Sequence, residues 1–228
     1  MNPVGILGGM GPEATILLMQ KVLRAVHASD DADHVPLIVH QNPGVPSRIA
    51  ALIDGTGADP APVLAQMTRD LGAAGATALA MPCNTAHYYA GAITAATDLP
   101  LLNMPDLTAQ HLSDVGARRI GILASPAVRL TGVYEAAFEA HGLSQIYPVD
   151  DAPILALIRA VKAGQTLVHD ALAAPAAALR DQGADHILVA CTELSLLTGG
   201  IGEQIVWTDS LDCLTSAIVV ASGAMPKT

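Results

Sequence analysis

"GATALAMPCNT" at residues 75–85 returns in outline as "GADHILVACTE" at residues 183–193, 108 positions further along the chain. Each copy runs from a glycine through a short apolar burst to a cysteine followed by polar residues. Upstream, "VGILGG" at 4–9 and "IGILAS" at 120–125 repeat in the same order, 116 positions apart. Two matches in one order at nearly one offset indicate an internal duplication. Between the bursts lie longer stretches with apolar residues at helical spacing, the pattern of βα units around a parallel sheet. The expected fold is therefore α/β: two similar domains, each a four-stranded, mostly parallel sheet flanked by helices, related by a pseudo-twofold with the active site between them. Strands are expected near 4–8, 36–40, 77–81, 100–102, 119–123, 145–148, 186–190 and 204–207.

The duplication also decides how many domains 228 residues make, since about 150 per domain leaves one or two open. With 51% hydrophobic and 14% charged residues the chain is excluded from the disordered class. Aromatics are only 3%, so the core must come from Ala, Val, Ile and Leu, and small side chains favour helices lying tight on a sheet. Pro12 suits a first helical position, and Ile16, Leu17, Val22, Leu23 and Val26 form one stripe. Ile154, Leu155, Ile158 and Val161 mark a second helix, and Leu211, Leu214, Ile218 and Val219 the last. Pro175 should kink or restart an alanine-rich helix.

A net charge of −10 opposes binding to nucleic acid. The start has no basic segment before its apolar stretch, and no uncharged apolar run reaches about 18 residues. Neither a signal peptide nor a membrane span is expected, and the location expected is cytoplasmic. Cys83, Cys191 and Cys213 form no C-x-x-C pair, which argues against a disulfide framework or structural zinc. The eight histidines show no H-x-x-x-H or H-E-x-x-H spacing, so no metal site is expected.

Ligands of open α/β sheets sit beyond the carboxyl ends of the strands, and both Cys83 and Cys191 fall there. Asn84, Thr85, Thr192 and Glu193 follow them and are able to cap helices. A thiol at a helix N-terminus tends toward thiolate. Two thiols facing one space from opposite sides suit a two-base proton exchange at carbon, one thiolate taking the α-proton while the other thiol returns one. Against this stands ordinary packing of buried cysteines, which is the reading given to Cys213. The glycine loop Gly8, Gly9, Gly11 can present amides to an anion, a carboxylate or, through a loose G-x-G-x-x-A pattern, a dinucleotide. Met10 at its tip would be a pocket wall. Arg48 can clamp a carboxylate; Lys162 ends a helix, where it would ordinarily offset the dipole. His87 can face the same cleft or cover a helix surface.

"GGMGPEAT" at 8–15, "MPCNTAH" at 81–87 and "CTELSLL" at 191–197, in this order, resemble the aspartate/glutamate racemase family, in particular its aspartate racemase branch. The resemblance implies a cofactor-independent isomerase of two similar α/β domains, usually a homodimer, with the C-terminal helix returning to the first domain. The implied division is 1–98 plus 208–228, and 99–207. It implies catalytic thiols at Cys83 and Cys191, and substrate contacts at Met10, Arg48, Asn84, Thr85, Lys162 and Thr192, supported by Gly9, Gly11, Glu193 and His87. Glutamate racemases resemble this chain less, because they have Asp-Ser-Gly in the first loop and Cys-Thr-His in the second motif. The branch commonly reads Pro-Asp-Arg-Thr where this chain has Pro46-Ser47-Arg48-Ile49, and a threonine-rich loop where it has Ala124-Ser125-Pro126-Ala127. The implied reaction is interconversion of L- and D-aspartate, with glutamate as a variant. Alternatives are cis-trans isomerisation of a maleate-type diacid, with one cysteine attacking the double bond, and a nucleotide-binding or non-catalytic protein.

Overall fold

The computed structural model describes residues 1–165, 168, 170–202 and 204–227. The first half contains β1 (Val4–Gly8), α1 (Pro12–Arg24), β2 (Leu37–Gln41), α2 (Arg48–Leu52), α3 (Ala61–Ala73), β3 (Ala78–Ala80), α4 (Ala90–Thr94) and β4 (Leu101–Leu102). The chain continues through α5 (Met104–Asp114), β5 (Arg119–Leu123), α6 (Pro126–Thr131), α7 (Glu135–Ala140), β6 (Ser144–Ile146), α8 (Ala152–Lys162), α9 (Ala173–Asp181) and β7 (His186–Val189). It closes with β8 (Trp207–Asp209) and α10 (Ser210–Ser222). The strand orders are β2-β1-β3-β4 and β6-β5-β7-β8, the same order twice, and every pairing is parallel.

All eight expected strands occur, with corrections at the ends. The last lies at Trp207–Asp209 instead of 204–207, because those residues pair with Ile187, Leu188 and Val189. The sixth spans Ser144–Ile146 and stops where its pairing with β5 ends, at Gly121. The α1 stripe is also corrected. Ile16 and Leu23 are exposed, while Ala14, Thr15, Leu18 and Val22 face inward. Pro175 stands in the first turn of α9, where a missing N–H costs no helical bond, so it restarts the helix without kinking it.

The scarcity of aromatics has a visible consequence at two equivalent glycines. A Cβ on Gly5 would lie 2.9 Å from Ala76 Cβ and 3.2 Å from Leu71 Cβ; one on Gly121 would lie 2.9 Å from Leu179 Cβ and 3.0 Å from Ala184 Cβ. In each half, the helix before the third strand presses directly on the central strand, contact that side chains larger than hydrogen would prevent. The last helix, α10, covers the first sheet: Leu211, Leu214 and Ile218 share a core with Val4, Ile6, Leu18 and Ala80. Among the described residues no helix is long and apolar enough to cross a membrane.

Candidate active site

The loop leaving β1 is shaped by Gly9, whose φ is +94° and whose Cβ would sit 2.4 Å from the Asn42 backbone carbon. No other residue fits there. Its N–H donates to Thr15 Oγ1 at 2.9 Å, and the Thr15 hydroxyl donates to the Gly11 carbonyl at 3.2 Å. Of the loop's amides, that of Gly9 is therefore taken up in stitching the loop to α1 and is not offered to an anion. Met10 is buried at the tip and is a wall of a cavity of about 740 Å³.

That cavity takes residues from both halves. The first supplies Gly9, Met10, Gly11, Arg48, Cys83 and Thr85; the second supplies Ser125, Ile158, Val161, Lys162, Cys191 and Glu193. Both thiols are 7% exposed. The halves meet at the site, since a Cβ on Gly11 would lie 3.6 Å from Glu193 Oε1.

Three other expected residues lie behind this wall, held by the fold. Asn84 accepts from the Tyr134 hydroxyl at 2.5 Å and donates through Nδ2 to Ser210 Oγ at 3.0 Å. The Thr192 hydroxyl donates to the Pro82 carbonyl at 3.1 Å. His87 neither faces the cleft nor covers a surface. Its Nδ1–H donates to the Cys83 carbonyl at 2.9 Å, and Nε2 accepts from the Met104 N–H at 3.2 Å. A carbonyl cannot donate, so the ring is the neutral Nδ1–H tautomer, in accord with a pKa that burial lowers to about 4. These side chains brace the segments carrying the thiols.

The helix-capping expectation is also corrected. Each cysteine is followed by a short 3-10 helix, Thr85–Tyr89 or Leu194–Gly200, and neither has a side-chain cap. Cys191 does not tend toward thiolate: burial first, then the Glu193 carboxylate, push its thiol well above the ordinary value, while the Glu193 N–H and Lys162 pull the other way. The Cys191 S–H donates to Glu193 Oε2 at 3.2 Å, and Glu193 Oε1 is paired with the Lys162 ammonium. Lys162 thus lines the cavity and pairs with Glu193 as well as ending α8.

Arg48 opens α2, after Ser47 whose Oγ accepts from the Ala50 N–H. Its Nη1 donates to the Val45 and Pro46 carbonyls, and Nη2 to the Met10 carbonyl. Nε–H is buried with no partner among the described residues. The guanidinium is therefore anchored by backbone carbonyls at the cavity wall. Ser125 was not among the expected site residues; it occupies the position that the repeat matches to Gly9, and that correspondence was the available signal. Ile158 and Val161, on the apolar stripe of α8, also line the cavity. Among the described residues no three His, Cys, Asp or Glu side chains converge as metal ligands would.

Residues 7–218 match the family model described as Asp/Glu/Hydantoin racemase. The chain is 27% identical over 222 residues to the broad specificity amino-acid racemase RacX of Bacillus subtilis (strain 168), covering 95% of this chain and 96% of that one. Its structure is similar to that of Picrophilus torridus aspartate racemase, with a TM-score of 0.90 and 27% identity over 100% of this chain and 96% of the other. A glutamate racemase from Francisella tularensis in complex with D-glutamate shares the fold at a TM-score of 0.64 and 14% identity, over 100% and 84% of the two chains.

Proposed function

The chain belongs to the Asp/Glu/Hydantoin racemase family and is an amino-acid racemase, an isomerase, and we propose that it works by two-base proton transfer between Cys83 and Cys191, with aspartate as substrate. One observation carries the mechanism: the two thiols matched by the duplication line a single cavity between the halves, together with Arg48 and Lys162. A thiolate on one side removes the α-hydrogen as a proton. The electron pair left on Cα delocalises into the carboxylate as an enolate-like species, and the opposite thiol delivers its proton to the other face. Cα is inverted, and one proton has passed from one sulfur to the other.

The substrate reading rests on charge. Arg48 lines the cavity and brings the positive charge that one substrate carboxylate would pair with. Lys162 already holds Glu193, but an ammonium has three donors, so a second substrate carboxylate can join the pair without displacing it. Ile158 and Val161 supply an apolar wall for the single methylene of aspartate.

The test is α-hydrogen exchange in heavy water, followed by NMR, with L- and D-aspartate, glutamate and a panel of uncharged amino acids. We expect exchange and interconversion of both aspartate enantiomers, and loss of the interconversion, by at least about a thousandfold, in Cys83→Ala and in Cys191→Ala. Full interconversion of the enantiomers in both variants would refute the two-thiol mechanism, and exchange confined to uncharged amino acids would refute the aspartate assignment while leaving the mechanism intact.

A further inference from the structure

The duplication isolates one asymmetry in an otherwise matched pair of thiols. It aligns Cys83 with Cys191 and Thr85 with Glu193, so one cysteine has a hydroxyl residue two positions on and the other a carboxylate. That carboxylate turns back on its own cysteine, with Oε2 accepting from the Cys191 S–H at 3.2 Å and Oε1 gripped by Lys162. Cys191 and Glu193 are both buried. From this geometry we propose that Glu193 is a positioning residue that keeps the site's mobile proton on Cys191, so that the resting enzyme has Cys191 as its acid and Cys83 as its base.

The inference rests on the two-thiol reading above. A carboxylate oxygen accepts and does not donate, so the hydrogen between Sγ and Oε2 must come from sulfur. A thiolate in the same place would face a negative oxygen at 3.2 Å in a buried setting. The other charged or titratable groups around the pair are Lys162 on α8 and, across the cavity, Cys83, Arg48 and Glu13. Lys162 and the Glu193 N–H favour the thiolate, yet burial and the Glu193 carboxylate outweigh them. An enantiomer whose α-hydrogen points at Cys83 therefore meets a site ready to react, whereas its mirror image waits for the proton to move from Cys191 to Cys83.

Iodoacetamide labelling of the full chain tests this, with the rate at each cysteine read by peptide mass spectrometry across the pH range. Glu193→Gln removes the negative charge and frees Lys162, so labelling of Cys191 should begin about one pH unit lower and run roughly ten-fold faster at pH 7. Glu193→Asp keeps the charge on a shorter arm and should fall between, which leaves a usable variant should the glutamine protein fold poorly. The alkaline limb of the kcat/KM profile should shift down by the same amount in each variant, a change that a merely structural role would not produce. Cys213, on α10, is the control for intact packing. An unchanged Cys191 onset with Cys213 undisturbed overturns the proposal, as does an equal shift of all three thiols in both variants. If Cys191 shifts as expected but the two Cys→Ala variants still interconvert the enantiomers, Glu193 holds the proton and the racemisation mechanism is wrong. The reverse pattern leaves the mechanism and removes Glu193 from it.

Discussion

At the scale of single residues, two buried ionisable groups behind the site pull stability in opposite directions. Burial keeps His87 neutral down to a pKa of about 4 against an ordinary value of 6.5. As pH falls through that window the unfolded chain gains a proton that the folded protein refuses, so stability is lost. Asp209 is raised to about 6 from 3.8, chiefly by burial and despite Lys21 beside it. Its folded form takes up a proton first, so its contribution is present at low pH and is lost as pH rises through 6. Each slope is at most about 1.4 kcal/mol per pH unit, and between pH 4 and 6 they oppose. In urea titrations, His87→Asn should gain stability relative to wild type on going from pH 6 to 4.5, and Asp209→Asn should lose it; identical slopes in all three proteins would contradict this account. Neither effect was legible from residue type. A histidine four positions from a cysteine looks the same on a surface as in a core until the Met104 N–H arrives from another element.

At the scale of elements, the repeat was readable because a buried parallel strand demands an unbroken apolar run, which both halves display. Strand ends were less readable, since they depend on where a neighbour's pairing groups begin. The tight seating of α9 on β5 can be tested directly. In Gly121→Ala the new Cβ would come within 2.9 Å of Leu179 Cβ and 3.0 Å of Ala184 Cβ, so helix and strand must separate. A loss of about 1–3 kcal/mol in guanidinium denaturation is expected, with a similar loss for Gly5→Ala on the matching strand. Neutral behaviour at both positions would mean that the seam is looser than drawn.

At the scale of the molecule, the two halves are joined by hydrogen bonds directly behind the thiols. Tyr134, just before α7, reaches Asn84 beside Cys83; Asn84 reaches Ser210 on α10, whose hydroxyl donates to the Val189 carbonyl at the end of β7. The Thr192 bond to Pro82 crosses in the opposite direction. Tyr134→Phe leaves a buried Asn84 carbonyl unpaired, which should cost about 1–3 kcal/mol. Because the bond sets one thiol-bearing segment against the other half, kcat should fall more than KM changes. Equal activity and equal denaturation midpoints would show that the link is dispensable.

From the sequence alone came the duplicated α/β architecture and the pairing of Cys83 with Cys191. Both follow from local patterns, apolar period and repeat offset, that survive without knowledge of contacts. Only tertiary structure decided that Asn84, Thr192 and His87 brace the site from behind, that the Gly9 amide is spent on Thr15, and that Glu193 sets the two thiols apart. The reason is physical. A polar side chain's role depends on which donor or acceptor lies within about 3 Å of it, and for Asn84 and Thr192 those partners come from the other half of the chain.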